Sequence, residues 1–312
     1  MTLTELRYIV AVADAGHFGR AAQRCFVSQP TLSIGVKKLE DELGVQLFER
    51  DVRSVTVTEI GEAVVAQARQ VLEQAERVKI LASQGRDQLV GPLRVAAIYT
   101  VGPYLYPDLI PRLKKRAPRM PLIVQEGYTA EVAQHLKQNA IDAAILALPF
   151  AERGIDTVPL YEEPFVLVSP SGHPINQKKQ IRAQALAGED LILLGPGHCF
   201  RQQVLDTCPG CIPAHTPQQG RFDGGSLETI RHMVASGFGI TVLPCTAAGV
   251  DKYSRRLLSV RRFDGKPPTR TVALAYRKSF PRPRAIETLH AAIHDCSLTC
   301  VTHLPPAALT LN

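Results

Sequence analysis

The feature that most constrains the fold is a change of pattern near residue 89 of this 312-residue chain. Before that point apolar residues recur at helical spacing, whereas after it short apolar runs alternate with amphipathic segments. The runs include LRVAAI (93–98), DAAILAL (142–148) and PFVLVSP (164–170). Alternating strands and helices predict an α/β domain over residues 89–296, built from two subdomains with a cleft at the carboxyl ends of the strands. No regular pattern follows in the tail, residues 297–312.

The N-terminal part contains two short helical segments joined by a tight turn. In the second, SQPTLSIGVKKLEDELG, Ser28 is placed to cap the helix, Pro30 falls in its first turn, and Gly44 follows its end. The apolar residues of this helix form one stripe, which leaves a polar face for a partner. The stretch LFERDVRSVTVT predicts a two-stranded wing. Residues 1–58 are therefore predicted to form a winged helix-turn-helix.

The polar face of the second helix suits contact with double-stranded DNA. Amide, hydroxyl and ammonium groups bind base edges and phosphates, and the N–H groups at a helix N-terminus favour phosphate. The predicted DNA-binding residues are Gln29, Pro30, Thr31, Ser33 and Lys37 on the helix, with Arg50 and Arg53 near the wing tip. The alternative is a plain helical hairpin with a solvated face. Net charge does not decide between them, because residues 1–88 hold eleven basic and twelve acidic side chains.

A long helix is predicted over residues 59–88. Small apolar residues recur along it in alternating steps of four and three, at Val64, Ala68, Val71, Ala75, Val78 and Ala82. This spacing is typical of a coiled-coil seam. It predicts a dimerisation helix, with packing against its own domain as the alternative. A dimer would place two recognition helices on two DNA half-sites.

The chain carries neither a secretory signal nor a membrane-spanning run. Glu5 and Arg7 stand where a signal peptide would be apolar, and no uninterrupted apolar run reaches about 18 residues. We therefore expect a cytoplasmic protein without membrane contact, whose seven cysteines are normally reduced. No nucleotide-binding, metalloprotease or serine-hydrolase motif occurs in the sequence, so we expect neither an enzyme nor a cofactor.

Three cysteines fall in one short segment, GHCFRQQVLDTCPGC, residues 197–211. Cys208, Cys211 and His215, with His198 or Cys199 as a fourth ligand, have a spacing compatible with zinc, although a domain with a sizeable core does not need a structural metal. Cys208-Pro-Gly-Cys211 also matches a CxxC redox pair, but no strand precedes it.

A third interpretation of this segment is a conformational switch. The residues between Cys199 and Cys208 favour a helix, which would separate the two thiols by about 13–14 Å along its axis. A disulfide needs Cα atoms within roughly 7 Å. The two cysteines therefore cannot form a disulfide while the segment is helical, and their oxidation would require the segment to unwind and repack.

Several stretches of the chain resemble a known family. AAQRCFVSQPTLSIGVKKLEDELGVQLFER resembles the signature of LysR-type transcriptional regulators, and the α/β part resembles their periplasmic-binding-protein-like effector domain. The stretches CFRQQVLDTC, TVGPYL, SLETIRHMVASGFGITVLP and RTVALAYR are similar to the hydrogen-peroxide-sensing members of that family. The resemblance covers nearly the whole chain. It implies a DNA-binding, peroxide-responsive regulator of antioxidant genes that forms a homo-oligomer, a tetramer by analogy, and acts with RNA polymerase.

The same resemblance assigns roles to individual residues. It implies that Cys199 reacts with peroxide and that Cys208 is the resolving thiol. It places His198, Thr100, Thr129 and Arg270 around the peroxide pocket, with Arg270 suited to lowering the pKa of Cys199. A structural histidine and helix-capping threonines are the alternatives, and Cys211, which departs from the family pattern, is a rival partner. Two other functions stay open: a metabolite-responsive regulator with incidental cysteines, and a thiol peroxidase.

Overall fold

The computed structural model describes residues 1–50, 55–82, 88–189, 191–208, 223–249, 256–298 and 300–305. The chain separates into two compact units, residues 1–86 and 87–312, and the described part of each has its own hydrophobic core. Among the described residues, no helix combines the length and the apolar character that crossing a membrane requires. The change of pattern near residue 89 thus coincides with the division between the units.

The N-terminal unit is a winged helix-turn-helix, as predicted. Its elements are α1 (Leu3–Ala15), α2 (Phe18–Arg24), α3 (Gln29–Leu43), β1 (Phe48–Arg50), β2 (Val55–Val57) and α4 (Glu59–Ala82). Ser28 caps α3 by accepting the N–H of Thr31 at 3.3 Å, and Gly44 ends α3 in the left-handed conformation at φ 68°. The wing strands pair antiparallel, with Phe48 opposite Val57. The predicted cap, stop and wing are therefore confirmed.

The seam predicted on α4 is only partly available to a second chain. Ala68 and its neighbour Val65 are buried in the core of the N-terminal unit, and Val64 and Val71 are half-buried against that core. Val78, two turns further along, is 64 % exposed. The alternative that α4 packs on its own domain therefore holds for its N-terminal half, because the helix-turn-helix covers it there. Dimerisation through the second half of α4 stays a prediction.

The C-terminal unit is an α/β domain around a mixed sheet. Its strands are β3 (Leu93–Ile98), β4 (Leu122–Gly127), β5 (Ala143–Ala147), β6 (Ile155–Pro170), β7 (Leu193–Leu194), β8 (Asp223–Gly224), β9 (Thr241–Pro244), β10 (Leu258–Arg262), β11 (Thr269–Arg277) and β12 (Thr302–His303). Its helices are α5 (Gly102–Arg116), α6 (Thr129–Lys137), α7 (Cys199–Thr207), α8 (Leu227–Ala235) and α9 (Pro283–His294). The sheet order is β10-β6-β11-β5-β3-β4, with β9 and β12 also paired to β6. Strand β3 runs parallel to β4 and β5, which brings their carboxyl ends to one edge.

The long strand β6 runs through both subdomains. Its first half pairs with β11, and its second half, from residue 165, pairs with β9 and β10. One core cluster surrounds the first half, and a second surrounds the other half. The prediction of two subdomains is confirmed. The predicted strand at 164–170 covers only the second half, because Pro159, Glu162 and Glu163 interrupt the apolar pattern of the first.

The start of the C-terminal tail, where we predicted no regular element, adds a strand to the sheet. In β12, Thr302 lies opposite Glu162 of β6, and His303 lies opposite Tyr161. The N–H of Leu304 then donates to the carbonyl of Leu160 at 3.0 Å. Two polar residues carry no periodic signal, so only the neighbouring strand reveals this pairing. Residues 306–312 lie outside the described part.

We expect Gly61→Ala to destabilise the N-terminal unit. Gly61 lies in the first turn of α4, where a Cβ would come 2.2 Å from the backbone oxygen of Leu47. The chain before the wing would have to shift, and overpacking of this kind costs about 1–3 kcal/mol. Urea unfolding of the full chain measures the loss. Gln67→Ala, on an exposed position of α4, is the control, and equal stability of the two variants would contradict the expectation.

Candidate redox site and nucleic-acid interface

Helix α7 separates Cys199 from Cys208. Cys199 is its first residue, and Cys208 follows its last. The helix forms because CFRQQVLDT contains no Gly or Pro, and because Phe200 and Val204, one turn apart, are buried in the core of the second subdomain. The predicted helix is thus confirmed. Its nine residues hold the two cysteines about 13–14 Å apart along the axis.

The two cysteines differ in chemical state. Cys199 is a half-buried free thiol, which packs against the core of the first subdomain. Cys208 is buried and already disulfide-bonded. Cys199 and Cys208 are therefore not joined to each other, as the intervening helix requires.

The zinc interpretation falls largely outside the described residues, because Cys211 and His215 both lie there. Within the described ranges, no group of three or more His, Cys, Asp or Glu side chains is placed to hold a metal ion. The hypothesis that Cys211 is a rival disulfide partner lies outside the described residues for the same reason. Both interpretations therefore stay predictions.

A cavity of about 540 Å³ opens beside Cys199 and is lined also by Thr129 and His198. Thr129 is the first residue of α6, and His198 directly precedes α7. The starts of two helices, each packed in a different subdomain, therefore meet at the thiol. The fold thus brings Thr129, distant in the chain, to Cys199 and its sequence neighbour His198, so that two of the predicted pocket residues share a cavity with the thiol.

Three buried polar atoms, two at the cavity beside Cys199 and one in a neighbouring cavity, have no hydrogen-bond partner among the described residues. They are Oγ1 of Thr129, Nε2 of His198 and Oε1 of Gln203. Gln203 stands one helical turn after Cys199 and donates its amide to the carbonyl of Leu148 at 3.3 Å. A buried polar atom left unpaired costs about 1–3 kcal/mol. The site therefore favours a small molecule that both donates and accepts hydrogen bonds.

Two tyrosines hold the ring of His198. The ring centroid of Tyr128 lies 4.8 Å from that of His198, the centroid of Tyr99 lies 5.9 Å away, and all three rings meet edge to face. Burial lowers the pKa of His198, and a backbone hydrogen bond with Gly225 opposes that effect. The lowered pKa favours the neutral imidazole, which keeps one ring nitrogen able to accept a proton.

The two tyrosines were missed from sequence, because no motif contains them. A positional signal existed all the same. Tyr99 directly follows β3 and Tyr128 directly follows β4, two adjacent parallel strands. The carboxyl ends of such strands form the cleft of an open α/β sheet.

Arg270 lies in β11 at the centre of a buried polar cluster. Its Nε donates to Glu163 at 2.7 Å, and its two terminal nitrogens donate to Oγ1 and the carbonyl of Thr100 at 2.8 and 2.9 Å. The side chains of Arg270 and Glu163 are 1 % and 0 % exposed. The guanidinium carbon also lies 5.2 Å from the ring centroid of Phe200, the residue after Cys199.

This cluster engages Arg270, whose role toward Cys199 stays a prediction. The described hydrogen bonds of Arg270 go to Glu163 and Thr100, so its charge is balanced by a carboxylate. Thr100 is correspondingly engaged by Arg270 and does not line the cavity with Thr129. Glu163 was missed because it stands in the unpredicted half of β6. Arg270 thus contacts Phe200, the residue next to Cys199, and lines a neighbouring cavity together with Gln203, whereas neither Arg270 nor Thr100 lines the cavity beside Cys199.

The DNA-binding residues predicted on α3 are largely available at the surface. Gln29, Pro30, Thr31 and Lys37 are exposed, whereas Ser33 is half-buried. Arg50 ends β1, and Arg53 lies outside the described residues.

Two apolar residues beside these positions were not predicted. Ile34 of α3 is 69 % exposed, and Phe26, in the turn before α3, is 96 % exposed. Apolar side chains at such positions can contact the methyl groups of thymines. The surface thus offers both polar and apolar groups.

Family models match both units. The model described as LysR substrate binding domain matches residues 86–296, and that described as bacterial regulatory helix-turn-helix protein, lysR family, matches residues 3–62. A hydrogen peroxide-inducible genes activator of Dickeya chrysanthemi is 39 % identical over 296 residues and covers 95 % of each chain. The DNA-binding transcriptional dual regulator OxyR of Escherichia coli K12 is 40 % identical over 294 residues, or 94 % of this chain and 95 % of the relative.

Solved structures agree with these relatives. A full-length OxyR mutant of Pseudomonas aeruginosa is 51 % identical, with a TM-score of 0.82 and coverage of 98 % of this chain and 99 % of that one. A hydrogen-peroxide-bound OxyR mutant of Corynebacterium glutamicum is 34 % identical, with a TM-score of 0.62 and coverage of 94 % and 91 %. The chain therefore belongs to the LysR family of bacterial regulators and, within it, to the OxyR, or hydrogen peroxide-inducible genes activator, group.

Proposed function

We propose that this protein is a DNA-binding transcription regulator that hydrogen peroxide switches at Cys199. One observation carries the proposal: a half-buried free thiol shares a cavity with Thr129 and His198, each of which has a buried polar atom without a partner in the described structure. Hydrogen peroxide is small, and each of its oxygens both donates and accepts a hydrogen bond. It therefore satisfies such a site, and a related structure is described as holding it.

The first step oxidises Cys199. The thiolate attacks one peroxide oxygen, the O–O bond breaks, and the departing oxygen takes up a proton and leaves as water. Cys199 becomes a sulfenic acid. The neutral ring of His198 supplies a nitrogen for the thiol proton, and Thr129 offers its hydroxyl to a peroxide oxygen. Arg270, through Phe200 and Thr100, positions the start of α7.

The second step joins Cys199 to Cys208 and releases a second water. It needs Cys208 as a free thiol, so the disulfide that Cys208 forms in this structure must first be reduced. It also needs α7 to unwind and Phe200 and Val204 to leave the core of the second subdomain. Packing favours the helix and the new covalent bond opposes it, which makes the segment a bistable element.

Assembly and location follow from the same function. We infer a homo-oligomer, a tetramer by family analogy, in which the second half of α4, around the exposed Val78, pairs with its counterpart and sets two α3 helices on double-stranded DNA. Residues 1–58 would bind the operator, 59–88 dimerise, and 89–296 sense peroxide, with 297–312 as a tail. The regulator acts in the cytoplasm with RNA polymerase at antioxidant genes.

A thiol peroxidase and a metabolite-responsive regulator with incidental cysteines are the competing functions. The winged helix-turn-helix and its exposed polar face favour a regulator over an enzyme. The unpaired polar atoms beside a free thiol favour peroxide over a metabolite. Sustained peroxide reduction driven by a thiol donor would instead support the peroxidase.

We expect Cys199→Ser to abolish the peroxide response. The protein is first reduced with dithiothreitol, so that Cys208 is a thiol, and is then given one equivalent of peroxide, alkylated and mapped by mass spectrometry. The native chain should link Cys199 to Cys208, and the variant should lose both this link and promoter activation. Cys25→Ser, at a half-buried thiol of the N-terminal unit, is the control. A normal response of Cys199→Ser refutes the sensor.

We expect Thr129→Val to slow the oxidation of Cys199 by about tenfold, because one hydrogen bond to peroxide of about 1–1.5 kcal/mol is lost. Stopped-flow alkylation kinetics measure the rate. Thr129→Ser keeps the hydroxyl and serves as the control, which should react at nearly the native rate. Equal rates for the Val and Ser variants would remove Thr129 from the peroxide pocket.

We expect Ser33→Ala combined with Lys37→Ala to weaken promoter binding by at least about tenfold, because both groups belong to the DNA-facing side of α3. Fluorescence anisotropy measures binding, and light scattering checks that the oligomer persists. Lys114→Ala removes the same charge from an exposed position of α5 and is the control. Unchanged binding by the double variant argues against α3 as the recognition helix.

A further inference from the structure

A second disulfide lies outside the sensing segment and joins Cys245 to Cys300. Their Cα atoms are 6.1 Å apart, within the range of about 4.4–6.8 Å that disulfides require. Cys245 follows β9, Cys300 precedes β12, and both are half-buried. Unlike Cys199 and Cys208, this pair can exchange between thiols and disulfide without the unwinding of an intervening helix.

The two cysteines meet on one edge of β6. The N–H of Phe165 donates to Pro268, beside β11, whereas the carbonyl of Pro164 accepts the N–H of Cys245 at 3.0 Å. Cys245 therefore lies on the edge of β6 away from β11. Strand β12 occupies the same edge a few residues earlier, at Tyr161 and Glu162. The disulfide thus ties β9 of the second subdomain to the C-terminal segment, residues 300–305, where β6 passes between the subdomains.

The disulfide also adjoins the buried cluster beside Cys199. The residue after Cys245, Thr246, donates its backbone N–H to Glu163 at 3.2 Å, and its hydroxyl donates to the same carboxylate oxygen. Glu163 binds Arg270, whose guanidinium lies over Phe200. A continuous series of contacts therefore connects the disulfide with the start of α7.

We propose that Cys245 and Cys300 are a second redox-modification site, at which hydrogen peroxide converts two thiols into a disulfide that fastens the C-terminal segment to β6. One thiolate attacks peroxide and breaks the O–O bond, which yields a sulfenic acid and, after proton uptake, water. The second thiol then displaces the sulfenic oxygen as a second water. Two thiols thus supply the two electrons that reduce one peroxide.

The compartment makes this bond reversible. Reversibility of the bond rests on the proposed function, because a DNA-binding regulator works where thiols are kept reduced, and disulfides there are usually transient or redox-sensing. In the dithiol form the described contacts of the segment are the short β12 pairing, the hydrogen bond from Leu304 to Leu160, the ring contacts of His303 with Tyr161 and His294, and the packing of Val301 against the core. So short an edge strand opens readily, whereas the disulfide holds it in place.

The first test maps the bond in the full-length chain. Native protein and Cys199→Ser are reduced, exposed to excess hydrogen peroxide or to glutathione disulfide, alkylated and analysed by mass spectrometry. We expect peroxide to link Cys245 to Cys300 in both proteins. Two outcomes would overturn the proposal. In the first, Cys245 and Cys300 stay free thiols when Cys199 of the native protein is fully oxidised. In the second, the two cysteines link in glutathione disulfide but not in peroxide. The Cys199→Ser protein separates this outcome from any failure of the Cys199 sensor.

The second test measures the fastening by amide hydrogen exchange of the oxidised full-length chain. We expect Cys300→Ser, and independently Cys245→Ser, to speed exchange in residues 301–304 by at least about tenfold, because local opening is no longer opposed by the crosslink. Cys25→Ser, with the same chemical change in the other unit, should leave these amides unchanged. Native-like exchange in both Cys245→Ser and Cys300→Ser would show that the bond does not hold the segment.

Discussion

The buried ion pair between Arg270 and Glu163 is the interaction on which the arrangement of the C-terminal unit depends. Both side chains are almost inaccessible, so each charge relies on the other and on Thr100 and Thr246 for compensation. Removing one partner from such a pair costs about 3–5 kcal/mol, because the remaining charge stays buried. The pair joins β6, β11, the turn after β3 and the turn after β9. Its contact with Phe200 extends this control to the first turn of α7.

Helix α7 links the oxidation of Cys199 to a change of conformation. Its buried residues keep the helix formed, and the formed helix keeps Cys199 and Cys208 too far apart to bond. Oxidation of Cys199 therefore cannot be resolved without a change of structure. The free thiol, the unpaired polar atoms and the helix constraint together explain how a small oxidant can have a large conformational effect. The disulfide at Cys208 adds a requirement, since only a thiol can resolve a sulfenic acid.

Much of the local structure was predictable, because it depends on neighbours in the chain. Ser28, Pro30 and Gly44 set the bounds of α3, and the composition between Cys199 and Cys208 set α7. The sequence predicted that the seam of α4 packs against a second chain, whereas the first half of α4 packs on the N-terminal unit itself. Periodicity identifies a buried face of a helix but does not identify what covers that face. The first half of β6 was missed, because polar residues interrupt its apolar pattern and a strand of that kind cannot be told from a loop by sequence.

The sequence by itself determined the class of the protein: a winged helix-turn-helix followed by a two-subdomain α/β unit, with two cysteines placed at the ends of one helix. These features follow from local spacing, capping and resemblance. Only the tertiary structure decided which distant residues meet. It brought Thr129 to Cys199 and His198, paired Arg270 with Glu163, placed Tyr99 and Tyr128 against the ring of His198, and joined Cys245 to Cys300. Such contacts depend on the packing of strands distant in sequence, which no local pattern encodes.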